Sequence, residues 1–268
     1  MLMLIFSLSE ANSLAQAGQS PSMINPDILK DNEIPQMGTL HVGSESCTAI
    51  LIGPRTIITA AHCVASDNRQ LFGPIGGKSY NAVLTRHPSF IPDRDNLNIP
   101  FDFAEKNDLA IGVLESAVDN VSPLTVTRQS PDIGAVVLTL GLGSPSFERQ
   151  FGYVKVITIS PIGVTLRGQG PRHQSAYYGD SGGPNCLIGK DGAIQVFAVT
   201  SAGTGEESRY DLWAEAKPYT FGVALVLPNS SKNENSQFVP NFIKQNSLSV
   251  CGINLTCPKV LAPKTNEL

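Results

Sequence analysis

"CTAILIGPRTIITAAHC", residues 47 to 63, decides how the chain is built. The run from Thr48 to Ile52 is apolar and β-prone, stops at Gly53-Pro54, and resumes from Thr56 to Thr59. Two such runs on either side of a turn signal read as a β-hairpin. A cysteine stands at each end. A disulfide between Cys47 and Cys63 would close a loop of about 15 residues and contribute around 3 kcal/mol in the chain-entropy model. It would also fix the backbone beside His62, and the context Ala60-Ala61-His62-Cys63 makes that histidine a candidate for chemistry rather than an ordinary strand-end residue.

The same kind of run recurs along the chain. "NAVLT" (81–85), "DLAIGVL" (108–114), "AVVLTL" (135–140), "YVKVITI" (153–159), "AIQVFAVT" (193–200) and "FGVALVL" (221–227) are further strand candidates. In the second of these, Leu109, Ile111 and Val113 share one face. Asp191-Gly192 is a tight-turn signal ahead of Ala193. One helix is expected near the end, around "VPNFIKQNS" (239–247). There is no repeat at solenoid or propeller period and no regular alternation of strand and helix. Of the 268 residues, 41% are hydrophobic and 16% charged, with 24 Gly and 19 Pro. That mixture fits a turn-rich, all-β globular protein built as barrels or a sandwich.

The formal net charge of -4 comes without a basic patch, so no nucleic-acid partner is expected. The N-terminus, "MLMLIFSLSEANSLAQAGQS", has an apolar run from Leu2 to Leu8 and then Ala15-Gln16-Ala17. It reads as a signal peptide over 1–17, although no Lys or Arg precedes the apolar run and Glu10 follows it closely. Export to the cell exterior or periplasm is the expectation. No other stretch approaches the roughly 18 apolar residues of a membrane span, so no membrane partner is expected for the mature chain.

"AYYGDSGGPNC" (176–186) wraps small, turn-forming residues around Ser181. A serine becomes a nucleophile only when a base takes its proton and donors hold the negative charge that follows. His62 is the candidate base. A base histidine in turn needs a carboxylate to fix its tautomer, and Asp108 opens a strand from which its side chain can point inward.

The order His62, Asp108, Ser181, in the contexts "TAAHC", "NDLAIGVL" and "GDSGGP", resembles the chymotrypsin/trypsin family of serine endopeptidases. Weaker matches lie in "RHPSF" (86–90), "GLGS" (141–144) and "VTSAGTG" (199–205), with Leu142 and Ala202 where that family usually has Trp. The resemblance implies an all-β fold of two six-stranded antiparallel β-barrels packed face to face, with a short C-terminal helix. It divides the chain into a leader (1–17), a pro-segment and lead-in (18–33), a first barrel carrying His62 and Asp108 (34–125), a second barrel and C-terminal helix carrying Ser181 (126–248), and a tail (249–268). The short interval between Asp108 and Ser181 implies trimmed loops in the second barrel.

By the same resemblance, Ser181 is the nucleophile, His62 the general base and then acid, and Asp108 its orienter. The N–H groups of Gly179 and Ser181 form the oxyanion hole. Ser201 supports Asp108, and the strand Ser201–Gly203 pairs with substrate backbone. Ser175 is the pocket floor, with Gly203 and Gly222 as walls. A neutral, open pocket implies large apolar residues before the cut. The substrates are proteins or peptides, no cofactor or metal is implied, and the enzyme acts as a monomer. A catalytically silent, protease-like binding module is the alternative on the same scaffold, although such modules usually lack one of the three residues.

The five cysteines leave at least one unpaired within the chain. Besides Cys47–Cys63, a small loop closed by Cys251 and Cys257 is expected in the tail. Cys186 matches a family cysteine whose partner is absent, which leaves it as a buried free thiol or bonded to the tail. Tyr177 and Tyr178 stand where the family has a cysteine and its neighbour, so the usual disulfide brace of the pocket is missing. The resemblance also implies that Asp180, just before the nucleophile, is buried and paired with a cation, since a lone buried charge is costly. Either an activating protease cuts after Met23 and frees the Ile24 amine, or an internal Arg, His or Lys takes that place.

Overall fold

The computed structural model describes residues 23–30, 32–43, 45–91, 107–143, 147–161, 163–169, 173–203, 220–227 and 237–264. The expected leader (1–17) and the segment from Gly18 to Ser22 lie outside them, as do Ser144, Thr204 and Gly205 of the weaker motifs.

Fourteen strands and one α-helix are found among the described residues. A closed first barrel is built from β2 (Met37–Val42), β3 (Glu45–Gly53), β4 (Thr56–Thr59), β5 (Arg69–Ile75), β6 (Lys78–Arg86) and β7 (Ala110–Leu114), in the order β2-β3-β4-β7-β6-β5. It closes where Thr39 and Leu40 of β2 pair with Gly73 and Phe72 of β5. The second barrel uses β9 (Val136–Gly141), β10 (Gln150–Ile159), β11 (Gly163–Gly168), β12 (Pro184–Ile188), β13 (Ile194–Gly203) and β14 (Thr220–Leu225). Its circuit β9-β10-β11-β14-β13-β12 closes through Asn185↔Thr139 and Cys186↔Leu138. All these pairings are antiparallel. Two short strands sit outside the circuits: β1 (Asp27–Ile28) extends the edge at β10, and β8 (Thr125–Val126) runs parallel to β13.

The opening hairpin shows why its apolar runs are continuous rather than alternating. Its pairs are Ile50↔Ile58 and Leu51↔Ile57. Ala49, Leu51 and Ile57 fill the first barrel with Leu40, Phe72 and Leu84. Ile50, Ile52 and Ile58 point the other way, into a cluster shared with Leu138 and Leu140 of the second barrel. A strand buried on both faces needs apolar residues on both. β7 repeats the device: Ala110 and Leu114 go inside the barrel, while Leu109 and Ile111 enter the shared cluster. The second barrel has its own interior of Val137, Val154, Leu166, Phe197 and Val223. The seam between the barrels is thus a core in its own right.

Helix α1 (Phe238–Gln245) buries Val239 and Ile243, one turn apart, against that seam. Pro240 is tolerated in its first turn, where N–H groups lack helical acceptors anyway. It ends where Asn246 Nδ2 donates to the Phe242 carbonyl and Ser247 turns left-handed at φ +52°. No helix among the described residues is long and apolar enough to cross a membrane. Disulfides join Cys47 to Cys63 and Cys251 to Cys257, and Cys186 is a buried free thiol. Burial pushes that thiol's pKa well up, which keeps it protonated.

Candidate active site

His62 sits on a single 3₁₀ turn (Ala61–Cys63) that leaves β4. Three groups hold this turn. The disulfide ties Cys63 back to β3. Gln70 of β5 donates to the Cys63 carbonyl at 2.9 Å and accepts from the Ala65 N–H at 2.8 Å. Arg86 of β6 donates from Nε to the Ala61 carbonyl at 3.1 Å and from Nη2 to the Val64 carbonyl. The ring itself stays one third exposed, at 33%.

Asp108, just ahead of β7, is completely buried. Its Oδ1 accepts the His62 backbone N–H at 2.9 Å. Its Oδ2 accepts His62 Nδ1 at 2.7 Å and the Ser201 hydroxyl at 2.5 Å. Burial alone would raise the carboxyl's pKa. The His62 charge and the hydrogen bonds from the His62 ring, Ser201 and the His62 N–H outweigh it and hold the pKa below the ordinary value. A carboxylate on Nδ1 keeps the proton there and leaves Nε2 as the ring's acceptor.

Ser181 belongs to a tight loop between Tyr177 and Gly183. Inside the loop, Asp180 N–H donates to the Tyr177 carbonyl at 3.1 Å and Gly183 N–H to the Asp180 carbonyl at 2.8 Å. The loop is pinned to β13 by Gly182 N–H on the Thr200 carbonyl at 2.7 Å, and to the first barrel by Thr48 N–H on the Ser181 carbonyl at 2.8 Å. Gly182 has φ +79°, and a Cβ there would lie 2.1 Å from Thr59 Oγ1, so only glycine lets the loop meet the first barrel. The structure thus joins His62, Asp108 and Ser201 directly and lays the Ser181 backbone against the same seam. Among the described residues the Ser181 hydroxyl makes no hydrogen bond to His62. Such bonds are often long in an empty site and tighten with substrate.

The N–H groups of Gly179 and Ser181 donate to no acceptor among the described residues, and Gly179 has φ +88°. Between them, Asp180 is fully buried. Its Oδ1 accepts Gly143 N–H at 3.0 Å and its Oδ2 accepts Tyr177 N–H at 2.9 Å. No cation pairs with it among the described residues, and burial raises its pKa to about 7. Ile24 does not meet Asp180 in the uncut chain. Its N–H donates to the Ser175 carbonyl at 2.8 Å, its carbonyl accepts Ser175 N–H at 3.3 Å, and Met23 beside it is fully buried.

Ser175 is therefore locked beneath the N-terminal lead-in and is only 1% exposed. Gly203 and Gly222 lie on adjacent strands in neighbouring register, Gly203 opposite Phe221 and Gly222 opposite Ala202. The pairing of β12 with β13 ends at Pro184↔Val199. Beyond it, the Ser201–Gly203 edge of β13 has no strand partner on that side among the described residues. Cys47, His62 and Cys63 place possible metal-ligating atoms within 4.8 Å of one another. Both sulfurs are bonded to each other, so this donor set does not suit a metal.

Two contributors were not legible beforehand. In the sequence Arg86 is only the start of "RHPSF", and Thr48 only a strand residue. Neither carries a local signal, because each acts on carbonyls distant in sequence.

The family model described as trypsin matches residues 27–220. Among curated relatives, the chain is 27% identical over 145 residues to snake venom serine proteinase 14 of Crotalus adamanteus, covering 53% of each. It is 26% identical over 191 residues to submandibular glandular kallikrein-9 of Rattus norvegicus, covering 60% of this chain and 72% of that one. It is 25% identical over 197 residues to thrombin-like enzyme BjussuSP-1 of Bothrops jararacussu, covering 65% and 83%. The chain spans about half the length of the first of these relatives.

Proposed function

The chain belongs to the trypsin family, and from that premise we propose that it is an exported serine endopeptidase that cuts peptide bonds through an acyl-enzyme. Ser181 Oγ attacks the scissile carbonyl while His62 Nε2 takes its proton. Asp108 holds the ring and stabilises the imidazolium that forms. The tetrahedral oxygen, now negative, is met by the two unspent N–H groups of Gly179 and Ser181. His62 then gives its proton to the leaving amine, and water repeats the sequence on the acyl-enzyme. The observation that carries this reading is the wholly buried Asp108, engaged at both oxygens by His62 and Ser201 where the barrels meet.

The neutral Ser175 and the side-chain-free Gly203 and Gly222 support large apolar residues before the cut. Substrates are proteins or peptides, joined to the open edge of β13 as an added strand, and the enzyme acts as a monomer. An activating cut after Met23 would have to break the Ile24–Ser175 pairing before the new amine could reach Asp180. N-terminal sequencing of active enzyme decides this point, since full activity in a chain that begins upstream of Met23 removes the requirement.

The test of the function is covalent. A fluorophosphonate probe should label the protein at Ser181, and both labelling and hydrolysis should vanish in Ser181→Ala and His62→Ala with the fold intact by circular dichroism. Hydrolysis that survives Ser181→Ala overturns the reading. An unlabelled but folded wild-type chain points instead to a silent binding module.

A further inference from the structure

Thr48 is fully buried on β3 of the first barrel, yet its polar atoms serve the second. Its hydroxyl donates to the Gly179 carbonyl at 2.8 Å. The same oxygen accepts Leu142 N–H at 3.0 Å. Its backbone N–H donates to the Ser181 carbonyl at 2.8 Å, and its own carbonyl accepts the Thr59 hydroxyl at 2.8 Å. Thr48 thus bonds through its side chain to the carbonyl of one oxyanion-donor residue of the proposed mechanism, and through its backbone to that of the other.

The need for such a clamp follows from Gly179. A φ of +88° favours glycine, but glycine is also the residue with the greatest freedom to leave that conformation. The Gly179 N–H can receive a developing negative charge only if it stays aimed. No disulfide braces this loop: Cys186, just past its end, is a free thiol. The Asp180 carboxylate accepts the N–H groups of Tyr177 and Gly143, not that of Gly179. Locking the Gly179–Asp180 peptide limits rotation about the glycine's Cα–C bond: Thr48 holds its carbonyl, and the Asp180 N–H of the same peptide donates to the Tyr177 carbonyl at 3.1 Å. Leu142 N–H, received by the same oxygen, orients the hydroxyl: with the lone pair committed there, the proton goes to Gly179.

We propose that the Thr48 hydroxyl is a positioning residue for the oxyanion hole, acting from the first barrel by locking the Gly179 carbonyl. This rests on the peptidase reading above. Removing the hydroxyl should cost transition-state binding rather than substrate binding, because the donor is mis-aimed only for the tetrahedral oxygen.

The experiment compares wild type, Thr48→Val and Thr48→Ser. Valine keeps the shape and the backbone N–H and removes the hydroxyl; serine restores it. Wild-type labelling by the fluorophosphonate probe comes first, and its failure rejects the peptidase reading itself. Given labelling, Thr48→Val should lower kcat on a peptide ester by about 10- to 100-fold, below the cost of deleting a donor outright, with KM changed less than threefold. A peptide boronate, which becomes tetrahedral on Ser181, should lose affinity by a similar factor. Thr48→Ser should restore most of both. An unchanged kcat in folded Thr48→Val overturns the proposal. So does a loss confined to KM or to melting temperature, or one that serine does not rescue. Should Thr48→Val fail to fold, a Thr48→Ser kcat and boronate affinity both outside threefold of wild type would overturn it, and values within threefold would support it.

Discussion

Asp108 and Asp180 are equally dry and electrostatically opposite. Each has 0% of its surface accessible, and each has both oxygens engaged by hydrogen-bond donors. Asp108 faces an imidazole that can carry positive charge and a short bond from Ser201. Asp180 faces backbone N–H groups alone among its hydrogen bonds to described residues. Burial raises the pKa of both. In Asp108 the His62 charge and the bonds overcome that rise, and in Asp180 two N–H groups do not, leaving it at about 7. The difference teaches that hydrogen bonding makes a buried carboxylate tolerable, while a neighbouring charge decides whether it stays ionised.

The sharpest way to break this comparison is Asp108→Asn. The shape survives, but the amide does not enforce a proton on His62 Nδ1. Turnover of a peptide substrate should fall by about 10⁴ with folding retained. A fall of less than tenfold would mean that Asp108 does not orient the histidine.

The next test concerns Asp180 and pH. A folded-state pKa raised from 3.8 to about 7 means that the folded chain holds a proton the unfolded chain has lost across that window. This group's stability contribution is thus full below the unfolded pKa and is lost as pH rises toward 7. At ~1.4 kcal/mol per pH unit, the loss is up to roughly 4 kcal/mol. Asp108, whose pKa is lowered, contributes in the opposite sense: its stability is present above its unfolded value and is lost as pH falls through the lower folded one. Urea unfolding at pH 5 and pH 8, in a Ser181→Ala background to prevent self-digestion, should show Asp180→Asn losing less stability with rising pH than its parent. Equal slopes would show that a cation reaches Asp180 in solution.

The smallest expected effect lies at the turn that carries His62. Arg86→Met keeps the alkyl stem and frees the Ala61 and Val64 carbonyls. Arg86 is an exposed residue, so the cost should be about 1 kcal/mol, with kcat down several-fold, read from melting temperature and hydrolysis together. No change in either would show that the disulfide and Gln70 suffice.

Much of the fold was legible where apolar runs were long. The hairpin strand Thr56–Thr59 matches its predicted limits, and the helix expected over 239–247 runs from Phe238 to Gln245. Six of the described strands carry no such run: β1 and β8 have two residues each, too few to show one, and the other four have their own reasons. β5 contains Gly73-Pro74 in its middle, and β12 begins at Pro184, directly after the Ser181 loop, so both look like turns. β2 and β11 each have a glycine near the start and polar residues inside, which break the apolar run. All four were recruited by closure of the barrels, where neighbours supply the pairing that local propensity lacks.

The sequence by itself determined the residue kinds and their order: the histidine beside a bridged cysteine, the aspartate opening an apolar strand, the serine among glycines. Those are local patterns, and local patterns survive in one dimension. Only the tertiary structure decided that Asp180 is met by backbone N–H groups rather than a cation among the described residues, that Arg86 holds the His62 turn, and that Thr48 reaches across the seam to Gly179. Each depends on hydrogen bonds between groups far apart in sequence, several of them to backbone carbonyls. Every residue has such a carbonyl, so the sequence cannot mark which one will be met.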